Sequence, residues 1–158
     1  MTEHNARNSR RPHLKIAIDF DGTIVRDNYP SIGKEIPFAT ETLRCLMRDG
    51  HKLILWTVRT GQLLEEAVNW CRERGVEFYA VNRDYPEERE EFNEHYSRKI
   101  KADIFIDDRN IGGLLSWGEL YTIIKENISI SDYCNGGVET NVSQVESKRG
   151  LIARLFGK

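Results

Sequence analysis

The residues of this 158-residue chain best suited to chemistry fall in three groups, each directly behind a short apolar run. Asp19 and Asp21 follow Leu14-Lys15-Ile16-Ala17-Ile18, in the stretch Asp19-Phe20-Asp21-Gly22-Thr23. Thr57, Val58 and Arg59 follow Leu53-Ile54-Leu55-Trp56, and Asp107 and Asp108 follow Asp103-Ile104-Phe105-Ile106. Four carboxylates drawn together repel one another unless a hard cation neutralises them, and an all-oxygen donor set suits Mg²⁺. Lys99, shortly before the last run, would add a second positive charge. Together the groups supply a carboxylate nucleophile, a second carboxyl group for the leaving-group proton, a metal and a lysine to balance charge, and a hydroxyl with backbone amides to hold phosphate. Those are the parts that phosphoryl transfer requires. Gly22, Thr23, Val58 and Arg59 are the candidate substrate-binding positions, and Asp19, Asp21, Asp107 and Asp108 the candidate metal ligands.

Elements with the right polarity must bring these groups to one place. Leu14 to Ile18 reads as a first strand, stopped at the Gly22 turn. Residues 23–36 are rich in turn formers and read as a loop or small hairpin. Pro37 precedes a helical pattern that runs from Phe38 through Asp49 to a stop at Gly50. Leu53 to Val58 reads as a buried second strand. A stripe of Leu63, Leu64, Ala67, Val68, Trp70 and Cys71, closing at Gly75, reads as a second helix, with Arg72 and Arg74 in its last turn. Val76 to Val81 and Asp103 to Ile106 read as the third and fourth strands, and Glu119 to Lys125 as a helix. Alternation of strand and helix implies βαβ units, hence an α/β, Rossmann-like three-layer sandwich with a mostly parallel sheet. In such sheets ligands bind beyond the carboxyl ends of the strands, where the unusual polar residues lie.

At this point the chain resembles the haloacid dehalogenase (HAD) superfamily. Asp19-Phe20-Asp21-Gly22-Thr23 after a strand, Thr57 at the end of a second, Lys99 ahead of a fourth and Asp107-Asp108 at its end are similar to the four motifs of that superfamily, in order, over residues 13–133. Tyr29 to Phe38 and Ile106 to Asn110 are similar to small capless bacterial phosphatase-like members, one of them from Bacteroides. The resemblance implies that Asp19 attacks phosphorus to form an aspartyl phosphate. Asp21 would protonate the leaving alcohol and then deprotonate water. It further implies that Asp19, the backbone carbonyl of Asp21 and Asp107 hold Mg²⁺ with Asp108 in support, that Thr57 binds a phosphoryl oxygen, and that Lys99 bridges the phosphate and Asp19. An Asp at position 21 is what phosphatases and phosphotransferases of the superfamily carry, in contrast to its dehalogenases. The connections are too short for a folded cap, so the resemblance implies an open site.

Each feature has a plainer explanation. Asp-x-Asp is common in turns, Thr57 could simply end a strand, Lys101 rivals Lys99, and Arg59 suits either a substrate phosphate or a cap on the second helix. The acidic stretch 84–94 reads first as a solvated face, and His4, His13, His51 and His95 are scattered. The joint pattern, not any member, carries the expectation of a Mg²⁺-dependent phosphohydrolase acting on a phosphate monoester. The alternative is a catalytically weak phosphate-binding module that acts through partners or a membrane surface.

Composition bounds the remaining possibilities. With 39% hydrophobic and 30% charged residues the chain can bury a core, and its net charge of −2 offers no strong nucleic-acid signal. Residues 1–12 read as a polar tail without a signal-peptide core, no apolar run approaches a membrane span, and three dispersed cysteines argue against a disulfide framework. A cytoplasmic location is expected. Residues 134–158 read as a linker followed by a short basic amphipathic element at 148–158, in which Leu151, Ile152, Leu155 and Phe156 share one face beside Lys148, Arg149, Arg154 and Lys158. That element resembles the C-terminal membrane-targeting helix of the Min-system ATPases. It implies either weak membrane-surface contact or docking on its own domain or on a second subunit of a homo-oligomer.

Overall fold

The computed structural model describes residues 13–88 and 99–134. Their elements are β1 (Lys15–Ile18), α1 (Ala39–Arg48), β2 (Lys52–Leu55), α2 (Gly61–Glu73), β3 (Ala80–Val81), β4 (Ile104–Ile106), α3 (Trp117–Glu126) and α4 (Ile130–Cys134). The chain divides into two compact units, residues 1–121 and 122–158. The sheet, α1, α2 and the candidate site belong to the first; the end of α3 and the short α4 belong to the second. Among the described residues no helix is long and apolar enough to cross a membrane. The expectations for 89–98, including His95 and most of the acidic stretch, and for 135–158, including the basic amphipathic element, lie outside the described residues.

All four strands are parallel, in the order β3-β2-β1-β4. The register pairs Ile16 with Leu53 and Ile104, Ala17 with Ile54 and Phe105, and Ile18 with Leu55 and Ile106. Since side chains alternate across a strand, Ile16, Ile18, Leu53 and Leu55 share one face and Ala17 and Ile54 the other. The central residues of β1 and β2 are buried on both faces, which explains the unbroken apolar runs of their sequences. From β1 to β2 to β3 the chain steps in one direction, so right-handed crossovers place α1 and α2 on the same face. The step from β3 back past β1 to β4 is reversed, so the described end of that connection arrives on the other side of β1. Ile100 joins Ala17, Ile54 and Ala80 in a buried cluster flanked by Trp56, Tyr79 and Ala102.

Several elements are shorter than their apolar runs. The second strand stops at Leu55, leaving Trp56, Thr57 and Val58 beyond it, and the third is reduced to Ala80–Val81 although Val76 is buried. The ladder exists only where a partner strand runs alongside, and Val76 reaches the core without one. Residues 24–36 form the expected small hairpin-like loop. Arg26 N–H donates to the Lys34 carbonyl at 2.8 Å and Ile36 N–H to the Ile24 carbonyl at 2.9 Å, and Val25 bridges to Glu35. Gly33 is needed in it, because a Cβ there would collide with the Arg26 carbonyl oxygen.

Candidate functional site

With the order β3-β2-β1-β4, the sense in which successive strands are added reverses between β1 and β4, and this is the switch point at which parallel α/β sheets open a crevice. Asp19 leaves β1 there with its N–H bonded to the Ile106 carbonyl at 3.0 Å, which locks it beside the end of β4 and hence beside Asp107 and Asp108. One carboxylate oxygen from each of Asp19, Asp107 and Asp108 lies within 4.8 Å of the others. The turn after Asp19 is held by the Phe20 carbonyl, which accepts from Ile24 N–H at 2.9 Å and Val25 N–H at 3.1 Å. Gly22, at φ +90°, lets Asp108 approach: a Cβ there would sit 2.5 Å from Asp108 Oδ2.

Thr23 is the fully buried pin of this cluster. Its hydroxyl donates toward Asp19 Oδ2 at 3.2 Å, with Asp108 Oδ1 farther at 3.5 Å, and accepts from the Asp108 N–H at 3.0 Å. Its carbonyl accepts from the buried Trp117 Nε1–H at 3.2 Å. Asp107 Oδ1 is turned to the Arg109 N–H at 2.8 Å. Burial pushes the Asp19 carboxyl up to about 7, with the charges of Asp107 and Asp108 adding to the rise; the Phe20 N–H and the Thr23 hydroxyl pull the other way. Three crowded carboxylates, one of them disfavoured as an anion, form a donor set that a divalent cation would relieve.

Thr57 stands at the end of β2, one strand over. Asn82, just past β3 at φ 52°, clamps its backbone from both sides: Thr57 N–H donates to Asn82 Oδ1 at 2.8 Å, and Asn82 Nδ2 donates to the Thr57 carbonyl at 2.9 Å. Thr57 Oγ1 accepts from the Arg59 N–H at 3.2 Å, leaving its own proton for an outside acceptor. Val58 is 74% exposed, and among the described residues its N–H has no partner. The Gly22 N–H, by contrast, is used by the Val25 carbonyl at 2.7 Å, so Gly22 serves close approach rather than donation. Lys99 is exposed at the outer end of the segment that leads through buried Ile100 to β4.

Asp21 and Arg59 form a second group. Arg59 Nε donates to Asp21 Oδ2 at 2.6 Å and Nη2 to Asp21 Oδ1 at 2.7 Å, a two-pronged pair in which the Asp21 side chain is 10% exposed and the Arg59 side chain 0%. The remaining bonds go to the carbonyls of Pro30 at 2.9 Å and Ser31 at 3.0 Å. The hydrogen bond to Asp21 raises the Arg59 pKa further. The residue before α2 proper is Thr60, and the Arg59 side chain turns inward to Asp21 instead of to the helix. The carboxylate of Asp21 is thus engaged apart from the acidic trio, and its remaining route to a metal is its main-chain carbonyl.

Sequence reasoning missed Asn82, whose signal is an asparagine directly after a strand run, where its tolerance of left-handed backbone suits a tight exit. It also missed Trp117, which reads as an ordinary core residue until its N–H is seen on Thr23.

No protein-family model matches this chain, and no curated protein does. A solved structure does: that of a conserved protein from Bacteroides thetaiotaomicron, 57% identical, with a TM-score of 0.71, over 77% of this chain and 98% of that one. That protein is described as conserved, with no activity named. With identity this high across nearly all of its relative, the chain belongs to the family of this conserved Bacteroides thetaiotaomicron protein.

Proposed function

We propose that the protein is a phosphohydrolase of the HAD type, without a cap domain, that cleaves a phosphate monoester through an aspartyl phosphate on Asp19 and depends on Mg²⁺. The observation that carries the reading is the trio of Asp19, Asp107 and Asp108 at the switch point of a parallel sheet, with Asp19 raised to about 7. Asp19, Asp107 and the carbonyl of Asp21 would hold the ion, with Asp108 in support. Bound there, Mg²⁺ supplies Lewis-acid charge that keeps Asp19 ionised and offsets the charge of a phosphoryl group.

The chain's own residues divide the work as follows. The Asp19 carboxylate attacks phosphorus, and the bond to the leaving oxygen breaks. Asp21, protonated for this step, gives its proton to the departing oxygen. The Thr57 hydroxyl and the Val58 N–H hold a phosphoryl oxygen, and Lys99 adds positive charge. Water then attacks the phosphorus of the aspartyl phosphate, its proton passing to Asp21, and inorganic phosphate leaves with Asp19 restored.

One observation favours a second reading, a phosphate-binding module of weak activity: both oxygens of Asp21 are already held by Arg59. Phosphate release from an aryl phosphate and a panel of phosphate monoesters, with Mg²⁺ or with a chelator, separates the two. Metal-dependent release that Asp19→Asn abolishes is expected. Equal inactivity of wild type and Asp19→Asn on every compound would leave the binding-module reading in its place.

A further inference from the structure

Among the described residues the charged side chain with no solvent exposure is that of Arg59. Withdrawing a guanidinium from water is costly, and it persists only where protein groups replace its hydration. Here four of its five N–H donors have protein acceptors, two on Asp21, one on Pro30 and one on Ser31. Its faces meet aromatic rings, Phe20 at 5.1 Å and Tyr29 at 5.4 Å from the ring centres. The fifth N–H, on Nη1, has no acceptor among the described residues, and the side chain that carries it has no solvent exposure. The pair also isolates a charge: the Asp21 carboxylate is matched by Arg59, so it does not add to the crowd at Asp19, Asp107 and Asp108.

From this geometry we infer that Arg59 is a positioning residue: it acts through Asp21, fixing both carboxylate oxygens relative to the nucleophile loop and anchoring them to the Pro30–Ser31 turn, and does not itself contact the substrate. The inference rests on the phosphohydrolase reading, in which Asp21 must meet the leaving oxygen and later the water. A carboxylate two residues from the nucleophile has two free torsions, and a planar fork that bonds both oxygens removes them; a lysine, with one point charge, does not. Because proton transfer depends on reach and alignment, loosening Asp21 slows turnover while leaving substrate affinity alone.

The test is a double-mutant cycle on the full-length protein with Mg²⁺ and p-nitrophenyl phosphate, comparing wild type, Arg59→Lys, Asp21→Asn and the double variant, with thermal unfolding to verify that each is folded. Arg59→Lys should lower kcat by roughly 10- to 100-fold with KM within about twofold, Asp21→Asn by roughly 100-fold or more, and the double variant should be no slower than Asp21→Asn within about threefold. A double variant slowed by the product of the single effects, or a rise in KM with kcat unchanged, overturns the inference. A second readout needs no turnover. In ¹⁵N-labelled wild type the Arg59 Nε–H signal, assigned by its absence from Arg59→Lys, should exchange slowly with water and should shift or broaden in Asp21→Asn. If wild type releases no phosphate, the phosphohydrolase reading fails by itself, and positioning for catalysis fails with it; fast exchange of the Nε–H shows separately that the clamp is absent.

Discussion

Asp19 makes a quantitative prediction about the metal-free protein. Its carboxyl is raised from 3.8 to about 7 in the folded state, chiefly by burial. Between pH 5 and pH 8 the unfolded chain therefore has Asp19 ionised throughout, whereas the folded chain takes up a proton as the pH falls below about 7. A raised carboxyl favours the folded state when protonated, so this group costs stability as pH rises from 5 to 7 and adds no further change above. Two pH units at about 1.4 kcal/mol each give roughly 3 kcal/mol, which partial contact of Asp19 with solvent reduces to about 1.5 kcal/mol. Asp19→Asn keeps an oxygen to accept from Thr23 and removes the charge. In a chelator, urea unfolding at pH 5, 6, 7 and 8 should show the Asp19→Asn variant gaining on wild type by about 1.5 kcal/mol across that window, nearly all of it below pH 7. Mg²⁺ added at pH 8 should raise the stability of wild type and not of the variant. A stability difference that is constant over the range, or that shrinks as pH rises, would refute the reasoning.

Three further outcomes follow from single contacts. Asn82→Ala removes both hydrogen bonds that hold the Thr57 backbone and should cost about 1–3 kcal/mol in urea unfolding; a loss below a few tenths would show that Thr57 is held by other means. Gly22→Ala puts a Cβ 2.5 Å from Asp108 Oδ2 on a backbone at φ +90°, and should cost about 1–3 kcal/mol and weaken Mg²⁺ binding by calorimetry; unchanged affinity would count against Asp108 in the ion's support. Cys71 is buried and its thiol is pushed up to about 12, so iodoacetamide at pH 8 should modify exposed Cys134 and spare Cys71 in the native protein, as read by peptide mass mapping; modification of Cys71 ahead of Cys134 would contradict that burial.

The division of labour at the site follows from where each group sits on the sheet. Residues at the ends of β1 and β4 crowd into the acidic trio, because Asp19 N–H is bonded across to Ile106. One strand away, β2 presents Thr57 and Val58, held by Asn82 just past β3. The loop between β1 and α1 closes the third side, where Arg59 ties Asp21 to Pro30 and Ser31. Each group has its own scaffold, so single substitutions at Asn82, Gly22 or Arg59 can be read separately.

Local pattern was enough to find the strand cores, the two long helices and the polar residues at the strand ends, because burial on both faces writes unbroken apolar runs and helices write a 3.6-residue period. It was also enough to place Asp19, Thr57 and Asp107 at one edge, since parallel strands all present their carboxyl ends together. Strand order was not legible. Whether β4 lies beside β1 or beyond β3 is decided by contacts far apart in the chain, and only that order puts Asp107 and Asp108 against Asp19. The true lengths of β2 and β3 were hidden for the same reason, a ladder being a property of two strands and not of one. Arg59 could not be assigned from its neighbours either: its partners are Asp21, 38 residues earlier, and two carbonyls of a loop, and only folding brings enough acceptors together to bury a guanidinium.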